Sequence, residues 1–264
     1  MADGESNVAK GIARILVTND DGIGAPGLVL LERIARELSP EVWVVAPEQE
    51  QSGAGHSLTT RRPIRLIEVG TRRYVVDGTP TDCVLLALKR LLRDRPPSLV
   101  LSGINGGGNI AEDITYSGTC AAAMEATLFG APAIALSQEY RDRNAIDWSA
   151  AETFAAEAVR RIVASANPWP RETFFNINFP AAPADAVRGF AVTHQGKRLL
   201  GDNLVEGVDP RGRPFYWIGP AVFEGGATPG SDLAALAEYR VSITPIHLNL
   251  TDTAAADALR RKFA

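Results

Sequence analysis

A glycine-rich segment, residues 102–119, carries the densest set of groups that could do chemistry. It holds two asparagines, three consecutive glycines and two carboxylates, and it ends in Ser117-Gly118-Thr119 at the predicted start of a helix. Glycines let the backbone approach a ligand closely, and a helix N-terminus presents unpaired N–H groups to an anion. A surface loop without a function is the weaker interpretation, because long loops inside compact domains are usually functional. The segment therefore predicts an anion or phosphate site with oxygen-lined walls.

The second candidate is a pair of adjacent aspartates, Asp20 and Asp21, in a polar turn directly after an apolar run. Two carboxylates so close repel each other and raise the pKa of one of them unless a cation lies beside them. The alternative is that one caps the following helix and the other is solvated, as is common in Asn/Asp-Gly turns. Taken alone, the pair favours this alternative.

Four more side chains could complete a metal centre. The amide oxygens of Asn105 and Asn109 and the Ser52 hydroxyl, together with carboxylates, form a ligand set suited to Mg²⁺, Mn²⁺ or Ca²⁺ rather than zinc. His56 offers a substrate contact or a general acid, although a histidine in such a loop is more often structural. Each group has an ordinary alternative in turn or loop hydrogen bonding, so only their convergence in space favours a divalent-metal site.

The predicted order of strands and helices would bring these side chains together. Apolar periodicity predicts strands and helices in alternation. The predicted strands are 14–18, 42–46, a hairpin at 63–77, 99–101, 133–136 and 174–179; the predicted helices are 26–38, 80–93, 117–129 and 149–165. Thr79 is expected to cap the second helix, and Ser149 with Glu152 to form a capping box at the fourth. The pattern is typical of an α/β, Rossmann-like, mostly parallel sheet with helices on both faces, whose ligands bind at the carboxyl edge where the polar segments lie.

Beyond residue 188 the pattern loosens and a β-hairpin extension is predicted. Residues 195–220 are rich in Gly, Pro and Arg, with a turn at Asp209-Pro210-Arg211-Gly212 before an aromatic strand. An isolated hairpin is marginal in water, so this one is expected to pack on another subunit. A helix near 231–239, a strand at 241–246 and a C-terminal helix follow. The predicted division is a disordered tail (1–13), an α/β catalytic domain (14–194), the oligomerisation hairpin (195–220) and a C-terminal segment packing back on the domain (221–264).

Composition limits the partners. A net charge of −4 and a pI near 5.5 argue against a nucleic-acid polymer, which needs a basic face, but allow a single nucleotide. The 264 residues contain neither a membrane-length apolar run nor a signal peptide before the first strand, so a cytoplasmic protein without a membrane partner is expected. Cys83 and Cys120 lack metal-ligand spacing and are expected to pack as small buried hydrophobes.

One rival motif lies inside the glycine-rich segment. Residues 106–111, Gly-Gly-Gly-Asn-Ile-Ala, fit the G-x-G-x-x-A dinucleotide fingerprint. The glycines do not follow the first strand, the helix begins several residues later, and the acidic residue Glu125 lies inside that helix. A nicotinamide-linked oxidoreductase is therefore a minor alternative, and a non-catalytic nucleotide sensor is a third interpretation.

Eight short motifs occur in order along the chain. They are Thr18-Asn19-Asp20-Asp21-Gly22, Ala25-Pro26-Gly27, Val45-Ala46-Pro47, Ser52-Gly53, Gly78-Thr79-Pro80-Thr81-Asp82-Cys83, Ser102-Gly103-Ile104-Asn105, Tyr116-Ser117-Gly118-Thr119 and Ser242-Ile243-Thr244-Pro245. Together they resemble the SurE (stationary-phase survival protein) family of nucleotidases. The glycines at 106–108, Ala111 and the loosely matching 195–220 depart from the family pattern, and the first 13 residues have no counterpart. These departures bear on substrate preference and assembly more than on catalysis.

The resemblance implies a 5′-nucleotidase, a metal-dependent phosphatase acting on nucleoside 5′- and 3′-monophosphates, with 3′-nucleotidase and exopolyphosphatase as candidate side activities. It places one divalent ion per subunit, Mn²⁺ or Mg²⁺ with Ca²⁺ as an alternative occupant, on Asp20, Asp21, Ser52 and Asn105. It also implies a homodimer or homotetramer in which the C-terminal hairpin is exchanged between subunits.

The hypothesis from the sequence is phosphomonoester hydrolysis with the aspartate pair as catalytic groups. Asn109 and the Ser117-Gly118-Thr119 helix start are expected to bind the phosphoryl group and neutralise its developing charge. Asn19 and His56 are the remaining candidates for substrate contact. Either one aspartate deprotonates the attacking water or Asp20 attacks phosphorus itself to give an aspartyl-phosphate, and both routes stay open.

Overall fold

The computed structural model describes residues 12–200, 204–218, 223–224 and 227–263. The strands are β1 (Ile15–Thr18), β2 (Val42–Pro47), β3 (Leu66–Gly70), β4 (Arg73–Val76), β5 (Leu99–Gly106), β6 (Ala133–Gln138), β7 (Thr173–Phe179), β8 (Phe190–Val192), β9 (Leu199–Leu200), β10 (Leu204–Val208), β11 (Pro214–Ile218), β12 (Phe223–Glu224) and β13 (Val241–His247). The α-helices are α1 (Pro26–Leu38), α2 (Pro80–Leu86), α3 (Gly118–Leu128), α4 (Ser149–Ser165), α5 (Asp232–Ala237) and α6 (Thr253–Phe263). Within the described ranges, no helix combines the length and apolarity needed to cross a bilayer. Most of the predicted tail, up to residue 11, lies outside these ranges.

The main sheet has the strand order β3-β4-β2-β1-β5-β6-β7-β13-β8. Its centre, from β4 to β7, is parallel, while β3 pairs with β4 and β13 pairs with β7 in antiparallel fashion. The predicted α/β, mostly parallel sheet is therefore confirmed. The two antiparallel pairs lie towards the two ends of the sheet and leave its parallel centre, which carries the candidate site, intact.

Helices cover both faces of this sheet, because its central strands are apolar on both sides. In β1, Ile15 and Val17 pack into one core with α1 and α4, whereas Leu16 packs into the other core with α2 and α3. Cys83 on α2 and Cys120 on α3 lie in the second core and are fully buried, as predicted. Burial raises the pKa of Cys120 to about 12 and raises that of Cys83 well above its ordinary value.

Helix ends test the capping predictions. The predicted Thr79 cap of α2 is confirmed, since the Thr79 hydroxyl accepts from the Asp82 amide. The Asp82 carboxylate also accepts from the Thr79 amide, which completes a capping box that was not predicted. The predicted Ser149/Glu152 box at α4 is wrong. The N-cap is Trp148, without a side-chain cap, and the Ser149 hydroxyl instead accepts from the amide of Ala184. Helix α2 ends at Leu86 and continues as a π-helical turn to Leu91, slightly short of the predicted end at 93.

Strand β5 is longer than predicted. It continues past Leu101 to Gly106, so the first residues of the glycine-rich segment belong to the sheet rather than to a loop. Its pairing with β6 shifts register between Ser102 and Asn105. This irregularity re-aims the strand just before Asn105, as bulges do beside functional sites.

The C-terminal region returns to the sheet after a hairpin. Strands β10 and β11 form an antiparallel ladder that pairs Gly207 with Phe215, and β9 pairs with β12. The predicted hairpin is thus present at 204–218, while 201–203 and 219–220 lie outside the described residues. Its aromatic strand is exposed, with Tyr216 60% and Trp217 67% accessible. Helix α5, strand β13 and helix α6 follow, close to the predicted positions.

Candidate functional site

The three polar segments lie at one edge of the sheet because their strands are neighbours. Strand β1 lies between β2 and β5, and the pairing of Thr18 with Ser102 places the end of β1 level with the start of the irregular part of β5. The backbone carbonyl of Asp20 accepts from the amide of Gln51 at 2.8 Å, which ties the turn after β1 to the loop after β2. The carboxyl edge therefore gathers the segments that the sequence predicted to converge there.

Asp20 lies where all three segments meet. Its carboxylate is buried and accepts a hydrogen bond from the Thr119 hydroxyl in the first turn of α3. This contact depends on the absence of a side chain at Gly118, because a Cβ there would lie 2.7 Å from the Cβ of Asp20. Burial raises the pKa of Asp20, while the hydroxyl and backbone N–H of Thr119 act in the opposite direction.

Asp21 is more open than Asp20 and lines a cleft. Burial, and next the charge of Asp20, raise the pKa of Asp21 to about 6. A backbone hydrogen bond from Gly106 and the charge of Arg143 partly oppose this rise. Burial thus raises the pKa of both adjacent aspartates, and the charge of Asp20 adds to the rise at Asp21.

Ser52 lies on the exposed side of the pair. Its hydroxyl donates to Glu50 Oε1 at 2.9 Å, and Arg143 Nη2 lies 3.4 Å from the same oxygen. The charge of Glu50 contributes to the raised pKa of both aspartates. Glu50 and Arg143 were not predicted as site residues, and nothing in their local sequence marks them.

Asn105 lies at the end of the irregular part of β5, and a hydrogen bond fixes its side-chain amide. Its Nδ2 donates to the carbonyl of Gly107 at 2.7 Å, and no protein donor in the described residues reaches its Oδ1. This arrangement leaves the amide oxygen available to a ligand. A carboxyl pair, a hydroxyl and an amide oxygen form the hard donor set of Mg²⁺ or Mn²⁺. The described residues contain no cluster of three or more His, Cys, Asp or Glu that could hold a metal.

Both the backbone and the side chain of Asn109 are engaged in hydrogen bonds to other buried residues. Its backbone N–H donates to Asn178 Oδ1 at 2.8 Å, and its carbonyl accepts from Asn176 Nδ2 at 2.7 Å. Its own Nδ2 donates to the Ser137 hydroxyl at 2.7 Å, and all four side chains are buried. The two asparagines of β7 were missed by sequence reasoning, although two Asn alternating with Phe and Ile inside a buried strand are an unusual choice there.

The other predicted contacts have mostly structural partners. Ser117 is the N-cap of α3, its hydroxyl accepting from the amide of Cys120 at 3.0 Å. His56 Nε2 lies 2.9 Å from Glu125 Oε2, a buried carboxylate seven residues into α3, so this contact anchors the Ser52 loop rather than directing the imidazole at the aspartates. Asn19 Nδ2 donates to the carbonyl of Gly22 and shapes the turn, while its buried Oδ1 has no partner in the part of the chain that the structure describes.

The loop between Asn109 and Ser117 is tied down by the C-terminal region. Asp232, fully buried at the start of α5, accepts from the amide of Ala111 at 2.9 Å and from the amide of Gly196 at 2.8 Å. Gln195 Nε2 donates to the carbonyl of Ala111 at 2.8 Å. Ala111 has a φ of +51°, which is unusual for a non-glycine residue and is stabilised here by bonds to both of its backbone groups. These contacts, which no local sequence signal announced, fix the shape of the loop.

The dinucleotide fingerprint does not have the structure that its chemistry requires. Gly106 is the last residue of β5, and residues 111–115 form a 3₁₀ turn rather than the start of an α-helix. Helix α3 begins only at Gly118. The glycines therefore do not present a helix N-terminus to a pyrophosphate.

Comparison with known proteins places this architecture in a family. The family model described as Survival protein SurE matches residues 15–202. The 5′-nucleotidase SurE of Paramagnetospirillum magneticum is 51% identical over 250 residues, covering 95% of either chain. That of Rhodospirillum rubrum is 49% identical over 254 residues, covering 95% of this chain and 96% of its own. The crystal structure of the SurE protein from Aquifex aeolicus matches with a TM-score of 0.83 at 38% identity, covering 95% of this chain and 100% of that one. The chain therefore belongs to the survival protein SurE family.

Proposed function

We propose that this chain is a phosphomonoesterase that hydrolyses nucleoside 5′-monophosphates to nucleoside and phosphate. The observation that carries the proposal is Asp20, a buried carboxylate held by Thr119 at the N-terminus of α3 beside a second carboxylate. A helix N-terminus stabilises a bound phosphate, and a carboxylate pair suits a metal-assisted attack on phosphorus. Relatives about half identical over nearly their full length bear the name 5′-nucleotidase SurE.

The proposal includes one Mn²⁺ or Mg²⁺ per subunit, held by Asp20, Asp21, Ser52 and Asn105. What supports this is the donor chemistry: two carboxylates with raised pKa values, a hydroxyl and an amide oxygen without a protein donor. When bound, such an ion polarises a phosphoryl oxygen and lowers the pKa of a bound water. Hydrolysis of 3′-monophosphates and of polyphosphate belongs to the same proposal as secondary activities.

The protein's own groups are given distinct roles. Asp21, which lines the open cleft, is placed to orient the attacking water and to accept its proton. Direct attack by Asp20 is less favoured, because one of its oxygens is engaged by the Thr119 hydroxyl and its side chain is packed against Gly118. The dipole at the N-terminus of α3 offsets the charge that develops on the phosphoryl group. Asn109, whose N–H and Nδ2 donate to Asn178 and Ser137, shapes the neighbouring loop.

The test is phosphate release from 5′- and 3′-nucleoside monophosphates after chelation and again after Mn²⁺ or Mg²⁺ is restored. We expect release only with metal, and a loss of several orders of magnitude in kcat for Asp20→Asn and Asp21→Asn with unchanged circular dichroism. Asp257→Asn, on the exposed helix α6, is the matched control and keeps full activity. Full activity in both site variants contradicts the proposal. Nucleotide binding without release by folded wild-type protein indicates a sensor, and metal-independent binding of NAD(P) indicates the oxidoreductase.

We further propose that the β10–β11 hairpin joins copies of the chain into a homodimer or homotetramer. Leu204, Tyr216, Trp217 and Ile218 are more than half exposed on this hairpin, an apolar surface that a lone hairpin does not stabilise in water. Light scattering on the wild type and on Trp217→Asp tests this: we expect a multiple of the 28.2 kDa chain mass that falls in the variant. A monomeric wild type contradicts the assembly proposal without touching the catalytic one.

A further inference from the structure

An open cleft beside Asp21 has no role in the chemistry described so far. Its volume is about 510 Å³, within the range of small-molecule sites. Asp21, Gly106 and Arg143 line it together with the apolar side chains of Ile146 and Trp148. The cleft therefore joins a residue of the proposed metal centre to an aromatic surface.

The position of Trp148 in this wall depends on two glycines. A Cβ on Gly27 would lie 3.0 Å from Trp148 Cη2, and a Cβ on Gly106 would lie 2.9 Å from Ile146 Cδ1 and 3.9 Å from Trp148 Cη2. The edge of the indole is thus seated against α1 and the end of β5, one residue beyond Asn105. As the N-cap of α4, Trp148 is also fixed through its backbone, since its carbonyl accepts from the amide of Glu152 at 2.8 Å.

The indole keeps binding capacity that the protein does not use. Trp148 is half-buried and packs in part against the apolar core, yet it stacks on no other aromatic ring among the described residues and its Nε1 donates to no acceptor there. By contrast, Trp43 stacks on Tyr74 and Trp169 packs edge-on against Phe175. An aromatic ring with an unused N–H donor, in the same cleft as Asp21, suits stacking by a planar heterocycle.

We propose that the cleft is the nucleobase subsite and that Trp148 determines the preference of the enzyme for nucleotides over other phosphomonoesters. The inference rests on the proposed function, because it assumes that the phosphoryl group lies by the aspartate pair. The base then stacks on the Trp148 ring, with the ribose over Gly106 between them. Since the stacking area grows with ring size, purine monophosphates are preferred to pyrimidine monophosphates.

The test compares two substrates that differ in the base alone, adenosine 5′-monophosphate and ribose 5-phosphate. For Trp148→Ala we expect kcat/KM for adenosine 5′-monophosphate to fall about tenfold further than kcat/KM for ribose 5-phosphate, and for Trp148→Phe most of the difference to be restored. A tenfold change corresponds to about 1.4 kcal/mol. Trp169→Ala is the matched control: it removes a half-buried tryptophan that contacts the start of β7, at the edge of the sheet opposite the cleft, and leaves the ratio between the two substrates unchanged.

Two outcomes overturn the inference in distinguishable ways. If Trp148→Ala and Trp148→Phe lower both activities by the same factor, Trp148 is only a structural residue, and the proposed function still holds. If the wild type, loaded with Mn²⁺ and folded by circular dichroism, hydrolyses neither substrate, the proposed function fails and the nucleobase subsite fails with it.

Discussion

Replacing Gly118 with alanine should displace Asp20 while leaving the fold in place. The added Cβ would lie 2.7 Å from the Cβ of Asp20, 2.9 Å from its Oδ2 and 3.1 Å from Pro80 Cγ. Carbon atoms pack at about 3.5–4.0 Å, so the carboxylate must move by roughly 1 Å. A misplacement of about 1 Å in a catalytic group costs about 100-fold in rate, which is the loss of kcat that we expect.

The stability of this variant separates displacement from unfolding. Alanine is favoured over glycine in a helix by up to about 1 kcal/mol, whereas overpacking costs about 1–3 kcal/mol, so the net change in the free energy of unfolding is small. Gly24→Ala is the matched control, because nothing lies within 4 Å of its Cβ and its φ lies outside the left-handed region. Steady-state phosphate release and thermal melting measure the two effects. Wild-type kcat in Gly118→Ala would refute the argument that contact with α3 positions a catalytic Asp20.

Two further predictions concern the carboxylates. Because the pKa of Asp21 in the folded protein is about 6, above its ordinary value of 3.8, its contribution to stability is fully present below pH 3.8 and is lost as pH rises through 6. The melting temperature of chelated wild type should therefore fall between pH 5 and 7.5 more steeply than that of Asp21→Asn, and equal slopes would contradict the shift. Asp232→Asn loses an acceptor for the amide of Ala111 or of Gly196, so we expect KM for nucleotide and the inhibition constant for phosphate to rise several-fold while Mn²⁺ affinity is kept. Asp185→Asn is the control. An unchanged KM in Asp232→Asn would show that the loop around Ala111 does not need the hydrogen bonds of Asp232.

Local sequence signals correctly predicted helices that begin at a recognisable start signal, such as a proline or a capping threonine. Helix α1 runs over 26–38 as expected, and α2 begins at Pro80 with Thr79 as its predicted N-cap. The same reasoning failed at Ser149, because a neighbouring backbone amide, that of Ala184, uses the hydroxyl that a local box requires. It also ended β5 at Leu101, since serine, glycine and asparagine have low strand propensity. Pairing with β6, which is more than 30 residues away, extends the strand regardless of that propensity.

The sequence was enough to predict where the candidate site lies in the fold. It was not enough to predict which residues its side chains contact. Strand ends on neighbouring parallel strands must meet, so the convergence of Asp20, Ser52 and Asn105 followed from the order of elements. The partners of these residues did not follow, because they come from distant parts of the chain: Thr119 is 99 residues from Asp20, and Asp232 is 121 residues from Ala111. Asn109 shows the consequence, since its amide nitrogen, expected to contact phosphate, is used by Ser137 in the core.

The negative charges around the aspartate pair are a stronger argument for a bound cation than the identity of any single candidate ligand. Asp20 is buried beside Asp21, and Glu50 adds a third negative charge to the same edge. A fold that only needed to close a turn would gain nothing from this arrangement, because each raised pKa is a destabilising contribution at neutral pH. The groups that oppose the shift, the Thr119 hydroxyl on Asp20 and the Arg143 charge on Asp21, moderate it without removing it. A divalent cation bound to the pair would neutralise the negative charge that the carboxylates carry at neutral pH and reverse the sign of this contribution. Metal should therefore raise the melting temperature of the wild type more at pH 7.5 than at pH 5, where protons compete with it for the same oxygens.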